Sequence, residues 1–191
     1  LNTNRFFYPE KPQNPDKIAF SSGMTFKTKA GNFGLHGALA TQYTFEPGGG
    51  PSYTVYPLNK YYDKIINYKE NYIGYKYGEN AASILVDYLY TYNNRFDIYS
   101  SFETVFSGSK SPTKDIAPDE GTNFLDDDTL EKSFIYTISA NLYFKFFELN
   151  LSANLGKIFN ELIYDDTNDC FVPSQTDKDL LNVDVGFKVK F

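Results

Sequence analysis

Apolar and polar residues alternate with a period of two over much of this chain. From Leu181 to Phe191 every odd position is apolar (Leu181, Val183, Val185, Phe187, Val189, Phe191), and Asn182, Asp184, Gly186, Lys188 and Lys190 fill the even ones. Successive side chains of a strand point to opposite faces, so this spacing predicts a β-strand with one apolar and one polar side. The same signature recurs in Ile18–Lys29 (Ile18, Phe20, Met24, Phe26) and Phe33–Phe45 (Phe33, Leu35, Leu39, Tyr43, Phe45). It continues in Ser83–Tyr92 (Ile84, Val86, Tyr88, Tyr90, Tyr92) and Phe96–Phe106 (Phe96, Ile98, Phe102, Phe106). Ser133–Phe144 (Phe134, Tyr136, Ile138, Ala140, Leu142, Phe144) and Leu149–Gly156 (Leu149, Leu151, Ala153, Leu155) complete the set. These segments are near the roughly 9–11 residues of a tilted membrane strand. Helical periodicity is weak throughout. The expected class is all-β, with seven strands visible.

The connections alternate in length. Ala30-Gly31-Asn32, Asn93-Asn94-Arg95 and the region of Lys145-Phe146-Phe147-Glu148 make short turns. Glu46–Ala82, Ser107–Lys132 and Phe159–Leu180 are long and polar. Loops beyond about 12–15 residues are uncommon in compact soluble domains. Long loops gathered at one end of an antiparallel meander match an up-and-down transmembrane β-barrel, with short turns at its periplasmic end. A soluble sandwich, whose apolar phase forms a shared core, is the competing architecture. The polar phase favours the barrel, because its Ser, Asn, Gly and Thr suit a wet lumen. Tyr90, Tyr92, Phe96, Phe144, Phe147, Phe26, Phe33 and Phe191 fall near strand ends, as an interfacial aromatic girdle would. An odd strand number cannot close antiparallel, so residues 1–191 are expected to be the carboxy-terminal part of a larger barrel. The remaining strands come from a missing segment or another chain, or one lies unrecognised in Asn4–Tyr8 or Tyr53–Leu58.

Composition narrows the function classes. The chain has 191 residues, a formal net charge of −6, 17 tyrosines, 18 phenylalanines and no tryptophan. Such acidity argues against a nucleic-acid partner, which needs a basic stripe. One cysteine, Cys170, leaves no intrachain disulfide. No run reaches the roughly 18 apolar residues of a membrane helix, but barrel strands hide their hydrophobicity in alternation. Leu1 is not an initiator methionine and no signal peptide is visible, so a mature form or excised fragment is expected.

The final strand resembles the carboxy-terminal insertion signal of bacterial outer-membrane β-barrels, with Asp184, Gly186, Val189 and Phe191 at its defining positions. The resemblance implies the outer membrane of a diderm bacterium, with membrane lipid and the barrel-assembly machinery as partners. Ile73-Gly74-Tyr75-Lys76-Tyr77-Gly78-Glu79-Asn80-Ala81-Ala82, the strand Ser83–Tyr92, the Asn93-Asn94-Arg95 turn and the strand Phe96–Phe106 resemble the Wzi-like capsule-assembly family. That resemblance covers about 35 residues of a loose motif. It implies a lectin-like barrel that holds surface polysaccharide (capsule) at the cell exterior. A porin-type channel for solute diffusion is the alternative function.

The candidate ligand surface is the loop carrying Tyr53, Tyr56, Tyr61, Tyr62, Tyr72 and Tyr75. Tyrosine offers a rigid apolar face and a hydroxyl, suited to stacking on a sugar while bonding its edge. The same rings would also serve as an upper girdle and as loop packing. Asp126-Asp127-Asp128 and Asp165-Asp166-Thr167-Asn168-Asp169 offer oxygens to calcium but lack the glycine and distal glutamate of an EF-hand loop. Solvated acidic tips are the favoured reading, and no metal site or cofactor is expected. His36, the single histidine, falls on the lumenal phase, and no spacing selects Ser21, Ser22 or Asp87 as its catalytic partner. Gly48-Gly49-Gly50-Pro51 lacks the lysine and helix of a phosphate loop. An enzyme is not expected. Mixed lumenal charges (Lys27, Lys29, Asp87, Asp97, Glu103, Asp184, Lys188, Lys190) suit either a constriction or a structural plug.

Overall fold

The computed structural model describes residues 17–44, 75–93, 95–110, 123–167 and 170–189. Within them the alternating segments become β1 (Ala19–Thr28), β2 (Gly31–Ala40), β3 (Ala81–Tyr92), β4 (Phe96–Ser107), β5 (Glu131–Tyr143) and β6 (Phe147–Phe159). A short hairpin, β7 (Leu162–Asp165) with β8 (Cys170–Pro173), precedes the last long strand, β9 (Lys178–Val189). The main sheet has seven antiparallel strands in the order β1-β2-β3-β4-β5-β6-β9. The chain is all-β and runs up and down as its alternation predicts. It is not closed into a barrel: β1 and β9 stand at opposite edges.

Register keeps the two phases apart across the whole sheet. Phe26 pairs with Phe33, Phe33 with Tyr88, Val86 with Phe102, Phe102 with Tyr136, Tyr136 with Leu155 and Leu155 with Leu181. This apolar face is uncovered; Phe20 is 60% exposed, Leu181 74% and Val185 69%. The opposite face carries His36, Asp87, Ser101, Glu103, Thr137, Asn154 and Asn182 in the alternate phase.

The ends of the sheet differ. At the short-turn end, rings line up as Tyr92 on Phe96 (5.3 Å between centroids), Phe144 on Phe147 (4.3 Å) and Phe147 on Phe187 (5.3 Å). The β1–β2 turn needs Gly31, whose φ of +134° is foreign to L side chains and whose missing Cβ leaves space for the Tyr88 ring. Tyr88 then donates its hydroxyl to the Ala30 carbonyl at 2.5 Å. At the long-connection end lie the buried residues Ala40, Tyr43, Ala81, Val105, Ile158, Leu162 and Phe171.

Several boundaries differ from the alternation. The second strand stops at Ala40, not Phe45, and Tyr43, expected on the apolar face, is buried in a turn with φ +61°. Threonine side chains draw the chain out of the ladder there: Thr44 Oγ1 donates to the Thr41 carbonyl at 2.7 Å, and the Ile18 amide donates to Thr41 Oγ1 at 3.0 Å. Lys29, expected on the lumenal phase of a strand, sits in the turn after Thr28. The segment 159–180, expected as a loop, contains the β7–β8 hairpin, and β6 and β9 reach further into it than Gly156 and Leu181. Phe191, Lys190 and the proposed extra strands in 4–8 and 53–58 lie outside the described residues.

The β5–β6 pairing tolerates no side chain at Gly156. A Cβ there would stand 2.6 Å from the Phe134 carbonyl oxygen, which is backbone and cannot swing aside. Gly156→Leu should lower stability by about 1–3 kcal/mol through overpacking. Chemical denaturation of the folded chain, followed by circular dichroism, measures the shift.

Candidate functional site

The three long connections are joined by polar contacts that start from Glu79 and Asn80. Gly78, with φ +72°, turns the chain so that both side chains face the connections and not solvent. Glu79 accepts from the Tyr43 amide at 2.6 Å, tying the two ends of the first connection together. The Asn80 side chain reaches the other connection from both its atoms. Its Nδ2 donates to the Ser109 carbonyl at 2.9 Å, and its Oδ1 accepts from the Leu125 amide at 2.7 Å. Lys110 is 1% exposed; its ammonium donates to the carbonyls of Tyr77 and Glu79, while its backbone bridges to Phe171 after β8 begins. Glu131 closes the set by accepting from the Leu162 amide at 2.8 Å. Buried polar groups are costly unless paired, and this network pairs them across loops distant in sequence.

One residue of the first acidic cluster, Asp127, belongs to the same cap. Asp127 accepts from the Ser109 amide at 2.9 Å and its hydroxyl at 2.5 Å. Asp126 accepts from the Phe124 amide and Asp165 from the Thr167 amide, as short acidic side chains do in turns. Among the described residues, no group of three or more His, Cys, Asp or Glu side chains is arranged to hold a metal ion.

Below the cap, a recess of about 480 Å³ opens on the polar face of β1–β4. Its lining includes Ser21, His36, Tyr75, Lys76, Ser83 and Glu103. Gly23 and Gly34 leave room for His36 and for Asp87 beside it: a Cβ at Gly23 would run into the His36 ring, and one at Gly34 into the Asp87 carboxylate. His36 Nε2 and Asp87 Oδ2 are 2.9 Å apart. Lys76 reaches from the rim to Glu103 at 2.6 Å and lies 4.7 Å from the centre of the Tyr77 ring. Tyr75 donates to the Ala38 carbonyl at 3.3 Å and meets Tyr77 edge-on at 5.6 Å.

Of the tyrosines in the candidate ligand loop, Tyr75 is on the rim of this recess; Tyr53, Tyr56, Tyr61, Tyr62 and Tyr72 lie outside the described residues. His36 and Asp87, which spacing alone did not connect, are brought together by the β2–β3 register. Ser22 belongs to the apolar phase with Met24, whereas Ser21 shares the polar one. Asp184, Gly186 and Val189 lie on β9; a Cβ at Gly186 would come no closer than 3.4 Å to Asn150, an ordinary contact. Glu79, Asn80, Lys110 and Glu131 were not singled out by their chemistry, since polar residues near a strand end read as solvated.

No family model matches this chain, and neither a curated protein nor a solved structure shows significant similarity to it.

Burial raises the Tyr75 phenol from 10.0 to about 12; the Ser83 side chain lowers it and Glu103 raises it by lesser amounts. The neutral ring therefore favours the folded state at and below pH 10, and that contribution is lost as pH climbs toward 12. Spectrophotometric titration of tyrosinate should show a late-ionising tyrosine that disappears in Tyr75→Phe. If Tyr75→Phe instead removes a tyrosine that ionises near 10, that ring lies in solvent.

Proposed function

We propose that this chain is part of an outer-membrane β-barrel that holds surface polysaccharide at its outer end. The observation that carries the membrane reading is the continuous apolar face, exposed from Phe20 on β1 to Val185 on β9. An apolar surface of that breadth must be covered, and lipid covers it without a second sheet. The opposite face then lines a wet lumen, and the stacked rings at the short-turn end lie at one membrane interface. Ladder groups at β1 and β9 would be intolerable in hydrocarbon, so further strands, from another segment or chain, pair there. β9 would present Asp184, Gly186 and Val189 to the assembly machinery, with Phe191 following in sequence; contact geometry does not demand the glycine at 186, which fits a sequence signal.

Two features support polysaccharide attachment over free diffusion. The connection before β3 is rich in tyrosine, and its last turn lays Tyr75 and Lys76 across the polar face, narrowing any passage. The proposed role is binding, with no catalytic step. A porin-type channel remains the second reading, favoured by the mixed charges of that face, such as Lys188 with Glu148 at 3.7 Å.

Charge on the lipid side tests the membrane reading. Val185→Arg should cost about 2–4 kcal/mol at mid-depth and impair heat-resistant assembly, while Lys188→Gln should be tolerated. Full assembly of the arginine variant, or a chain that stays monomeric without detergent, would sink the reading.

Conductance and retention separate the two functions. The triple change Tyr61→Ser, Tyr62→Ser, Tyr75→Ser should reduce polysaccharide held on intact cells while leaving barrel levels unchanged; joint removal is needed because neighbouring contacts share their effects. A large ohmic conductance of the intact barrel in planar bilayers, with unaltered polysaccharide retention, would make it a channel.

A further inference from the structure

We infer that the recess beneath the cap is a saccharide subsite that takes one uncharged pyranose residue of the polysaccharide; the inference rests on the glycan-holding reading above. Small-molecule sites are concave, about 300–1,000 Å³ in volume, with a few converging polar groups. At about 480 Å³ the recess has that size. Its floor at Gly37 and Ala38 has no long side chain, and the His36 ring lies over Gly23, so a sugar ring can approach the sheet beside the imidazole. Its walls carry the groups a hydroxyl-rich ring needs. The carboxylate of Glu103 only accepts hydrogen bonds, the Lys76 ammonium only donates, and the hydroxyls of Ser21 and Ser83 do either. Tyr75 adds an aromatic edge at the rim, where the apolar side of a pyranose can rest.

The electrostatics choose among sugars. Among the described residues that line the recess, Lys76 is already met by Glu103 at 2.6 Å, and Asp87 stands 2.9 Å from His36, so an incoming carboxylate or phosphate would come up against two carboxylates. A uronic acid or phosphorylated sugar would bring like charge to a half-enclosed site, where repulsion works as rejection. Hydrogen-bonding groups already held in place by ion pairs are pre-organised, which lowers the ordering cost of binding.

The test is calorimetric titration of the intact barrel in detergent with the methyl glycosides of glucose, galactose and N-acetylglucosamine, and with glucuronic acid. At least one neutral glycoside should saturate, and glucuronic acid should bind about tenfold more weakly or not at all. Glu103→Gln and His36→Ala should each weaken neutral-sugar binding by about tenfold, with strand content unchanged. Should either variant fail to assemble, Ser83→Ala carries the same directional expectation. Absence of saturable binding by every neutral glycoside overturns the subsite, as does wild-type affinity in the variants or equal affinity for glucuronic acid. Polysaccharide measured on cells separates the levels. If wild-type barrel retains it while the recess variants bind sugar normally, the subsite fails and the glycan-holding reading stands; if removing the whole barrel leaves retention intact, that reading fails.

Discussion

A slip of one residue in any ladder of this sheet would carry apolar side chains to the polar face and polar ones to the apolar face. Register is therefore the constraint on which everything else rests. It is pinned at both ends of the strands. At the short turns, Arg95 donates its amide to the Tyr92 carbonyl at 2.7 Å, and Phe144 donates to Phe147 at 2.9 Å. The Tyr88 hydroxyl locks the β1–β2 turn from a third strand. At the other end, the fixed distance from Glu79 to Tyr43 and from Asn80 to Leu125 sets where β3 can begin. Between these anchors, cross-strand pairs such as Thr137 with Asn154 (2.8 Å) and Asn141 with Asn150 (2.6 Å) are satisfied only in the register observed.

The two ends solve different problems with different chemistry. Aromatic stacking at the short turns needs no partner loop, because rings from adjacent strands already face one another. The long connections, largely polar in sequence, add to a few buried apolar residues such as Tyr43, Leu162 and Phe171 a set of buried charged and amide groups that reach backbone atoms. Such a cap is selective about shape. A buried carboxylate or amide tolerates few alternative arrangements, whereas apolar contacts tolerate many. The recess sits directly beneath this ordered cap, and Tyr75 and Lys76, three to five residues before Glu79 and Asn80, inherit its placement.

Alternation made the seven long strands and their meander order legible, because the period of two persists wherever each face meets a single environment. It misplaced strand ends for a physical reason. At Thr41–Thr44 side-chain hydrogen bonds compete with the ladder, and from Glu131 the strand begins on a charged residue that is buried by a partner in β7. The β7–β8 hairpin escaped notice since four-residue strands leave too short a pattern to separate from a loop. His36 and Asp87 were both visible as lumenal positions, but their pairing depends on register, which periodicity alone does not supply. Tyr75 was picked for its ring chemistry; its neighbours Ser83 and Glu103 belong to other strands and could be found only through the fold.

The His36–Asp87 pair occupies four positions of the chain and not two. Its side chains exist in their observed places only because Gly23 and Gly34 have none. Each glycine is a site where almost any coding change adds atoms, so the pair presents a mutational target twice the size of its own chemistry. Loss of either glycine would displace the pair as surely as loss of the histidine. The small residues opposite the pair are thus as much a condition of it as its own two side chains.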